Sequence, residues 1–379
     1  MQLQYTIVAF SHLRWNFVYQ RPQHLLSRLA AKRPVVFIEE PEFDAGGPPR
    51  WERSSPSSNL TVYRPRTPVA APGFHGDQLP VLEPMMAELR EELGTTNLLT
   101  WLYTPMALPL ALALDPDAAV YDCMDELSLF LGAPPELLTL ESQLLEYADV
   151  MFTGGPSLFR AKQSRHPNVH CFPSSVDAEH FRVRERLTSE AEDQAELPHP
   201  RLGFYGVIDE RLDLAIVDRL AEAHPDWQIV LVGPVVKIDP ASLPRRPNLH
   251  YLGQRSYEEL PRYLAGWDVC LLPFARNDAT RFISPTKTLE YMAAELPIVS
   301  TSIRDVADVY GDIVYLGDTP DEFLAACEQA LASSAQERAT RAQRMRKVLA
   351  GTSWEATASA MEQLLTEAVA GRMNFRVPA

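Results

Sequence analysis

Residues 284–301 read SPTKTLEYMAAELPIVST, a polar start followed by an apolar run that ends in β-branched residues. Ser284 is a residue type that caps helices and Pro285 suits the first helical position, so a short helix leading into a buried strand is predicted. Lys287 is then the third helical residue, where the helix dipole is already positive, and it costs stability there unless an anion is bound. Glu290 lies three positions further on the same face. The stretch therefore predicts a site for a nucleotide diphosphate, and an ordinary Lys287–Glu290 ion pair on a solvated face is the alternative.

The length of 379 residues is sufficient for two domains, and the hydrophobic share of 46% is normal for a globular protein. No apolar run reaches the length of a membrane span, and the N-terminus has no basic start or cleavage site of a signal peptide. The four cysteines are far apart in the sequence, which favours a reduced, cytoplasmic protein without a zinc site.

The formal net charge of −15 argues against a nucleic acid partner. Residues 1–80 nevertheless carry nine Arg or Lys against six Asp or Glu, so this segment is basic in an acidic chain. Such a segment suits an anionic membrane surface or a phosphorylated acceptor, and a solvated surface with a chance imbalance is the alternative.

Short apolar runs alternate with helix-like stretches in both halves of the chain, which predicts two α/β domains with doubly wound, mostly parallel sheets. The polar segment 182–200 ends in Pro-His-Pro and is predicted to be the linker. The predicted domains are residues 1–181 and 201–352, followed by a C-terminal helix within 353–379. Residues 42–80 are rich in Pro, Ser and Arg. Apart from a strand-like run at 60–63, they are predicted to be either a mobile active-site loop or a disordered insertion.

Three carboxylates in five residues, Asp122, Asp125 and Glu126, lie at the end of the predicted strand that runs to Cys123. Open α/β sheets bind ligands at the carboxyl ends of their strands, so a general base is expected here, with Asp125 as the first choice and Asp122 as the second. Helix capping by either aspartate is an equally good interpretation. The chain has no Gly-x-Gly-x-x-Gly, which argues against a dinucleotide site, but Gly206 after a predicted strand would let the backbone approach a phosphate.

The 284–301 stretch resembles the donor site of GT-B glycosyltransferases, in particular the family four-like enzymes of bacterial teichuronic acid and exopolysaccharide assembly. The resemblance implies that Glu290 contacts the ribose of a sugar nucleotide. The second glutamate of the broader family is replaced by Phe282. Glu295 stands where glycine is common, so a left-handed backbone at Glu295 would cost about 1 to 2 kcal/mol.

The same resemblance covers nearly the whole chain and assigns two sets of residues. The expected donor-binding residues are Glu290, Lys287, Ser284, Thr286, Arg211, Arg281, Gly206, Gly233 and Gly253. The expected acceptor-binding residues, in the loop and helix that follow the first strand, are Arg14, Trp15, Arg21 and His24. Trp15 suits a hydrophobic core equally well.

The resemblance also implies two Rossmann-like domains that face each other across a cleft, with the C-terminal helix on the first. The implied activity is metal-independent hexosyl transfer from a UDP- or GDP-type sugar, without a further cofactor, to a glycan or lipid-linked acceptor. The implied location is cytoplasmic, with peripheral association at the inner face of the membrane. A sugar-nucleotide epimerase of the same fold and a catalytically silent binding scaffold are the alternatives. The sugar, the nucleotide, the stereochemistry and the oligomeric state stay open.

Overall fold

The computed structural model describes residues 4–94, 97–183 and 189–376 and divides the chain into two compact units. Unit 1 contains the chain up to Pro173 and again from Glu355, whereas unit 2 runs from Ser174 to Trp354. The change of unit therefore lies before the predicted linker at 182–200.

The strands alternate with helices along most of the chain. In chain order the strands are β1 (Tyr5–Ser11), β2 (Val35–Glu39), β3 (Glu42–Phe43), β4 (Arg50–Ser57), β5 (Leu60–Thr67), β6 (Asn97–Leu102), β7 (Ala118–Cys123), β8 (Val150–Thr153), β9 (Val169–Cys171), β10 (Arg201–Tyr205), β11 (Gln228–Val232), β12 (Leu249–Gly253), β13 (Val269–Leu272), β14 (Ile298–Ser300) and β15 (Tyr315–Leu316).

The helices are α1 (Arg21–Ala30), α2 (Leu79–Leu93), α3 (Leu108–Ala113), α4 (Glu136–Tyr147), α5 (Pro156–Lys162), α6 (Ala178–Phe181), α7 (Glu192–Ala195), α8 (Leu214–Ala223), α9 (Leu260–Ala265), α10 (Lys287–Ala293), α11 (Arg304–Tyr310), α12 (Pro320–Ala332), α13 (Ala335–Leu349) and α14 (Trp354–Arg376). In the described residues, no helix combines the length and the apolar character that a bilayer span requires.

The sheet of unit 1 has the order β3, β5, β2, β1, β6, β7, β8, β9, with β4 added antiparallel to β5. Every residue of β1 is buried, which explains why its sequence is mostly apolar and does not alternate with polar residues. Successive strands move outward from β1 on one side and from β6 on the other. The carboxyl ends of β1 and β6 therefore flank the switch point, where open α/β sheets bind ligands.

The prediction of a mobile loop or a disordered insertion over most of residues 42–80 is wrong, because β3 and β4 lie there beside β5, and the segment leads into α2. The strand-like run at 60–63 is part of β5, as predicted. The sequence pattern failed at β4, which is an edge strand whose residues are nearly all exposed, so that no apolar alternation marks it. Its charged residues form ion pairs with the neighbouring strand and with α2 instead. Arg66 of β5 bonds Glu52 of β4 at 2.6 Å, and Arg53 of β4 bonds Glu92 of α2 at 2.7 Å.

The basic residues of the segment 1–80 are neutralised within unit 1. Each of the nine Arg and Lys side chains forms an ion pair with a carboxylate of the same unit, which lowers the positive potential that a membrane surface would attract. The pairs are Arg14–Glu39, Arg21–Asp122, Arg28–Glu355, Lys32–Glu362, Arg33–Glu362, Arg50–Asp44, Arg53–Glu92, Arg64–Glu39 and Arg66–Glu42.

The last helix, α14, completes unit 1 from the far end of the sequence. Its residues Ala358, Met361, Leu365 and Val369 are buried and recur at helical spacing, which gives the helix one apolar face. Glu362 on this helix bonds both Lys32 at 2.6 Å and Arg33 at 2.5 Å.

The sheet of unit 2 is parallel, with the order β12, β11, β10, β13, β14, β15. The chain moves outward from β10 in one direction and then from β13 in the other, so the switch point lies between β10 and β13. The loop after β10 and the segment from β13 to α10 both begin at this edge.

Candidate functional site

Three glycines close the carboxyl edge of the unit 2 sheet. Gly206 follows β10 with φ +138° and Gly233 follows β11 with φ +150°, values that L side chains rarely adopt. A Cβ on Gly233 would lie 1.9 Å from the carbonyl oxygen of Gly206. The amide of Gly233 also donates to the carbonyl of Gly253, at 2.8 Å. Gly206 and Gly233, two of the predicted donor-site glycines, therefore allow a closer approach than any side chain would permit, whereas a Cβ on Gly253 would meet only a guanidinium nitrogen of Arg255 at 3.9 Å.

The side chain of Lys287 lies against Gly206 at this edge of the sheet. A Cβ on Gly206 would lie 2.2 Å from Cε of Lys287, so the lysine stem occupies the space that glycine leaves. The Nζ atom is 5.6 Å from the ring centroid of Phe204 and 6.0 Å from that of Phe274, within reach of cation–π attraction. The fold thus places an ammonium group at the end of β10, beside the switch point.

Glu290 lies one turn further along α10 and is only 6% exposed. The hydroxyl of Tyr205, the last residue of β10, donates to Oε2 of Glu290 at 2.6 Å. Burial raises the pKa of Glu290, while this hydrogen bond and the charge of Lys287 act to lower it. Glu290 and Lys287 are thus brought together as predicted, but Glu290 is in the interior and not on a solvated face.

The helix begins later than the sequence pattern predicts. Ser284 and Pro285 precede a turn, Thr286 is the N-cap, and Lys287 is the first helical residue instead of the third. The amide of Thr288 bonds the carbonyl of Pro285 at 3.1 Å, so the chain turns before the helix starts. Thr286 donates its hydroxyl to the hydroxyl oxygen of Ser174 at 2.9 Å.

The two predicted arginines of the donor site differ in their surroundings. Arg211 is bound by Asp209, with Nε 3.0 and 3.1 Å from the two carboxylate oxygens and a terminal nitrogen at 2.7 Å. Since Asp209 is 4% exposed, it holds the guanidinium and offsets its charge. Arg281 is exposed and lies over the ring of Phe282, 5.2 Å from its centroid.

In unit 1, the predicted base Asp122 and the predicted acceptor residue Arg21 bind each other. Nε of Arg21 lies 3.2 and 3.1 Å from the two oxygens of Asp122, and a second nitrogen lies 2.9 Å from one of them. Asp122 is fully buried and Arg21 is 4% exposed. Burial opposes the charge on Arg21, but the Asp122 carboxylate outweighs it and raises the pKa of Arg21. This geometry favours a structural role for both residues.

Glu126, the third carboxylate of the predicted cluster, bonds the buried Lys162 at 2.6 Å, and Lys162 also bonds Glu141 at 2.6 Å. Burial opposes the ionisation of Glu141, but Lys162 and Arg165 lower its pKa. Asp125 lies between the two paired carboxylates in the sequence and is partly exposed. The structure thus separates the cluster, and Asp125 is the member best placed to meet a ligand.

The remaining acceptor candidates have structural partners. Trp15 is 8% exposed, with its ring 5.0 Å from that of Phe37, so the core interpretation fits it better than sugar stacking. His24 is 2% exposed, with its ring against Tyr19. Arg14 bonds Glu39 at 3.3 Å and two backbone carbonyls of the next loop. Their acceptor role stays a prediction that this geometry does not favour.

Two residues of the unit 2 edge were missed by the sequence interpretation. Tyr205 is the partner of Glu290, yet the two are 85 positions apart and no local pattern links them. Both carboxylate oxygens of Glu210 are enclosed without a hydrogen-bond partner among the described residues, while its backbone carbonyl accepts from Asn277 at 2.9 Å. Glu210 therefore connects the loops that follow β10 and β13.

Comparisons with known proteins agree with this geometry. Residues 200–333 match the family model described as glycosyl transferases group 1, and this range lies within unit 2. The chain is 26% identical over 279 residues to TuaH of Bacillus subtilis, named as a teichuronic acid biosynthesis glycosyltransferase, with 68% of this chain and 69% of that protein covered. These comparisons support a glycosyltransferase with the GT-B fold that is similar to an enzyme of teichuronic acid biosynthesis.

Solved structures show the fold of this glycosyltransferase over nearly its whole length. Sucrose-phosphate synthase from Thermosynechococcus elongatus superposes with a TM-score of 0.73 at 17% identity, covering 97% of this chain and 100% of the other. The E. coli trehalose-6-phosphate protein bound with UDP-2-fluoro glucose gives 0.68 at 14% identity, covering 95% and 99%. The predicted pair of Rossmann-like domains is confirmed by these superpositions.

Proposed function

We propose that the glycosyltransferase binds a UDP- or GDP-type sugar on unit 2 and transfers its glycosyl group to a carbohydrate or lipid-linked acceptor. A role in cell-surface polysaccharide assembly is supported by the name of its relative TuaH, which refers to teichuronic acid biosynthesis. No further cofactor is included in this proposal. Neither an epimerase nor a silent scaffold is favoured by the comparisons.

A single observation carries the donor assignment. At the switch point of unit 2, the Lys287 ammonium lies against Gly206 while the Glu290 carboxylate is held beneath it by Tyr205. The ammonium suits a diphosphate, and a carboxylate oxygen suits the hydroxyls of a ribose. The two groups stand on successive turns of one helix face, as a nucleotide diphosphate would require.

In the proposed reaction, the bond between the anomeric carbon and the β-phosphate oxygen breaks as the acceptor oxygen bonds to that carbon. Negative charge develops on the leaving diphosphate and is stabilised by Lys287, with Arg281 as the exposed second cation. The acceptor proton goes to a carboxylate if the anomeric centre is inverted, and to a diphosphate oxygen if it is retained. Asp125 is our candidate for the carboxylate, because Asp122 is bound on both oxygens by Arg21.

Acceptor binding to unit 1 and association with the inner face of a membrane are further parts of the proposal. A lipid-linked acceptor would itself hold the enzyme at a membrane. Since the basic side chains of residues 1–80 are already paired, we expect cosedimentation with vesicles to depend on the acceptor lipid and not on anionic phospholipid alone.

The direct test is thermal stabilisation by a panel of nucleotides and nucleotide sugars, followed by transfer assays with and without a chelator. A donor at a hundred times its dissociation constant should add about 2.7 kcal/mol of stability. Lys287→Ala should abolish most of this gain without unfolding the protein, whereas Lys347→Ala, which removes an exposed lysine of α13 in the same unit, should keep it. Stabilisation by no nucleotide, or an equal gain in Lys287→Ala, would overturn the donor assignment.

A further inference from the structure

We infer that Tyr205 is a positioning residue for the donor: it fixes the Glu290 carboxylate so that one oxygen stays available to the ribose. This inference rests on the proposed donor site of unit 2. Nothing in the local sequence around Glu290 indicates it, since the contact is made by the end of a strand far away in the chain.

The first support is the direct contact. The Tyr205 hydroxyl donates to Oε2 of Glu290 at 2.6 Å, a short distance typical of a hydrogen bond to a charged acceptor. Oε1 accepts no hydrogen bond from any residue that the structure describes. The contact therefore divides the carboxylate into an oxygen bound by the protein and an oxygen left for a ligand hydroxyl.

The second support is that the Tyr205 ring cannot move away. It is 3% exposed, and the rings of Trp267 and Tyr291 lie 5.9 and 5.1 Å from it, with Phe181 stacked at 6.4 Å. The backbone amide of Tyr205 donates to the hydroxyl oxygen of Tyr291 at 3.2 Å. A rigid ring delivers its hydroxyl to one point, which is the property that a positioning residue needs.

The third support is location. Tyr205 immediately precedes Gly206, the residue against which the Lys287 stem lies. The hydrogen bond to Glu290 therefore ties the end of β10 to α10 at the point where the ammonium and the carboxylate converge. Loss of the hydroxyl would free the carboxylate to rotate without disturbing the glycine edge itself.

The ionisation of Glu290 gives a readout that a purely structural role would not change. The groups that face Glu290 are Tyr205 on β10 and Lys287 and Tyr291 on α10. Burial raises the pKa of Glu290, and the Tyr205 hydrogen bond and the Lys287 charge lower it, so removal of the hydroxyl should raise that pKa further. Donor affinity that depends on the ionised carboxylate falls as pH decreases through this pKa, and the fall should then begin at higher pH.

The experiment compares Tyr205→Phe with Tyr315→Phe in the full chain, with the affinity for UDP and GDP measured by calorimetry from pH 5 to 9. Both variants remove one tyrosine hydroxyl of unit 2 that donates to a glutamate, but Tyr315 bonds Glu337 at 2.9 Å and not Glu290. Tyr205→Phe should weaken binding about tenfold or more at pH 7, and the loss of affinity at low pH should begin at higher pH. Tyr315→Phe should retain the affinity and the pH profile of the wild-type protein.

Wild-type affinity in Tyr205→Phe, or an equal loss and an equal pH profile in both variants, would overturn the inference while leaving the donor site intact. Binding of neither nucleotide to the wild-type protein would instead refute the proposed function, and the inference with it. If Tyr205→Phe does not fold, Glu290→Gln provides the second measurement. The loss of nucleotide affinity at low pH should disappear in Glu290→Gln. A loss that persists would show that Glu290 is not the titrating group.

Discussion

Asp122 and Asp125 are three residues apart, but their surroundings differ, and we expect them to have different roles. Asp122 balances the charge of Arg21, and both side chains are almost inaccessible to solvent. Asp122→Asn should therefore destabilise the protein by about 3 to 5 kcal/mol, because it leaves a buried guanidinium without its counter-charge. Chemical denaturation measures this loss. A change within the error of the wild-type value would mean that the pair contributes little to folding.

Asp125→Asn should reduce turnover and leave the stability of the protein unchanged. As the candidate base, Asp125 should contribute about 100- to 10,000-fold to turnover, while the free energy of unfolding and the donor affinity stay near wild-type values. The matched control is Asp117→Asn, a carboxylate at the other end of the same strand, which should retain turnover. A loss below about tenfold in Asp125→Asn would favour the retaining route, in which the diphosphate takes the acceptor proton.

At this scale, the sequence predicted the pair Lys287 and Glu290 because helical spacing is a local property. It could not predict which carboxylates are occupied by cations. Asp122 and Arg21 are 101 positions apart, and only the folded sheet brings them together. Tyr205 was missed for the same reason.

Among the elements, the turn after α10 carries a local strain that the sequence did predict. Glu295 has φ +55°, in the left-handed region that glycine occupies without cost, and its carboxylate bonds Arg346 at 2.6 Å. The position of this turn follows from the length of α10 and the entry into β14.

Glu295→Gly should therefore be more stable than Glu295→Ala by about 1 kcal/mol, because both variants lose the Arg346 contact but only alanine keeps a Cβ at positive φ. Thermal unfolding of the two variants measures the difference. Equal stability would show that the backbone relaxes around the side chain.

The elements that the sequence predicted well are those with apolar runs, such as β7, which ends at Cys123 as expected. β4 was missed, because an exposed edge strand that is stabilised by ion pairs has no apolar face to reveal it. The predicted start of α10 at Pro285 was too early, because the helix begins at Lys287. Proline is compatible both with the first helical position and with a turn that precedes a helix.

For the whole molecule, the alternation of strands and helices was sufficient to predict two parallel sheets. The boundary between the units could not be predicted from composition, because it depends on which residues contact each other in the folded chain and not on the polarity of the sequence. Residues 174–181 precede the polar segment in the sequence but fold with unit 2.

Glu362 should make the stability of the protein depend on pH. Burial opposes its ionisation, but hydrogen bonds from Lys32 and Arg33 outweigh burial and hold its pKa below the ordinary value. A lowered folded-state pKa adds stability above the ordinary glutamate pKa, and this stability is lost as pH falls through the folded value. Glu362→Gln should therefore lower the unfolding temperature at pH 7, and the gap to wild type should shrink towards pH 3.

Glu355→Gln is the control for this prediction, because the Glu355 side chain is 69% exposed and its pair with Arg28 should contribute little. A gap between Glu362→Gln and wild type that stays constant over the whole pH range would show that the ion pairs are not its cause.

The interruption of unit 1 between Pro173 and Glu355 has a consequence for synthesis on the ribosome. All of unit 2 must be translated before α14 can reach the sheet of unit 1. At about 5 to 20 residues per second, the nascent N-terminal part waits on the order of 10 to 40 s for its last helix. During that interval the apolar surface that later contacts Met361 and Leu365 is uncovered, and Arg33 has no Glu362 to bind. The growing chain therefore completes unit 2 first and passes through a period in which chaperones have an apolar surface to protect.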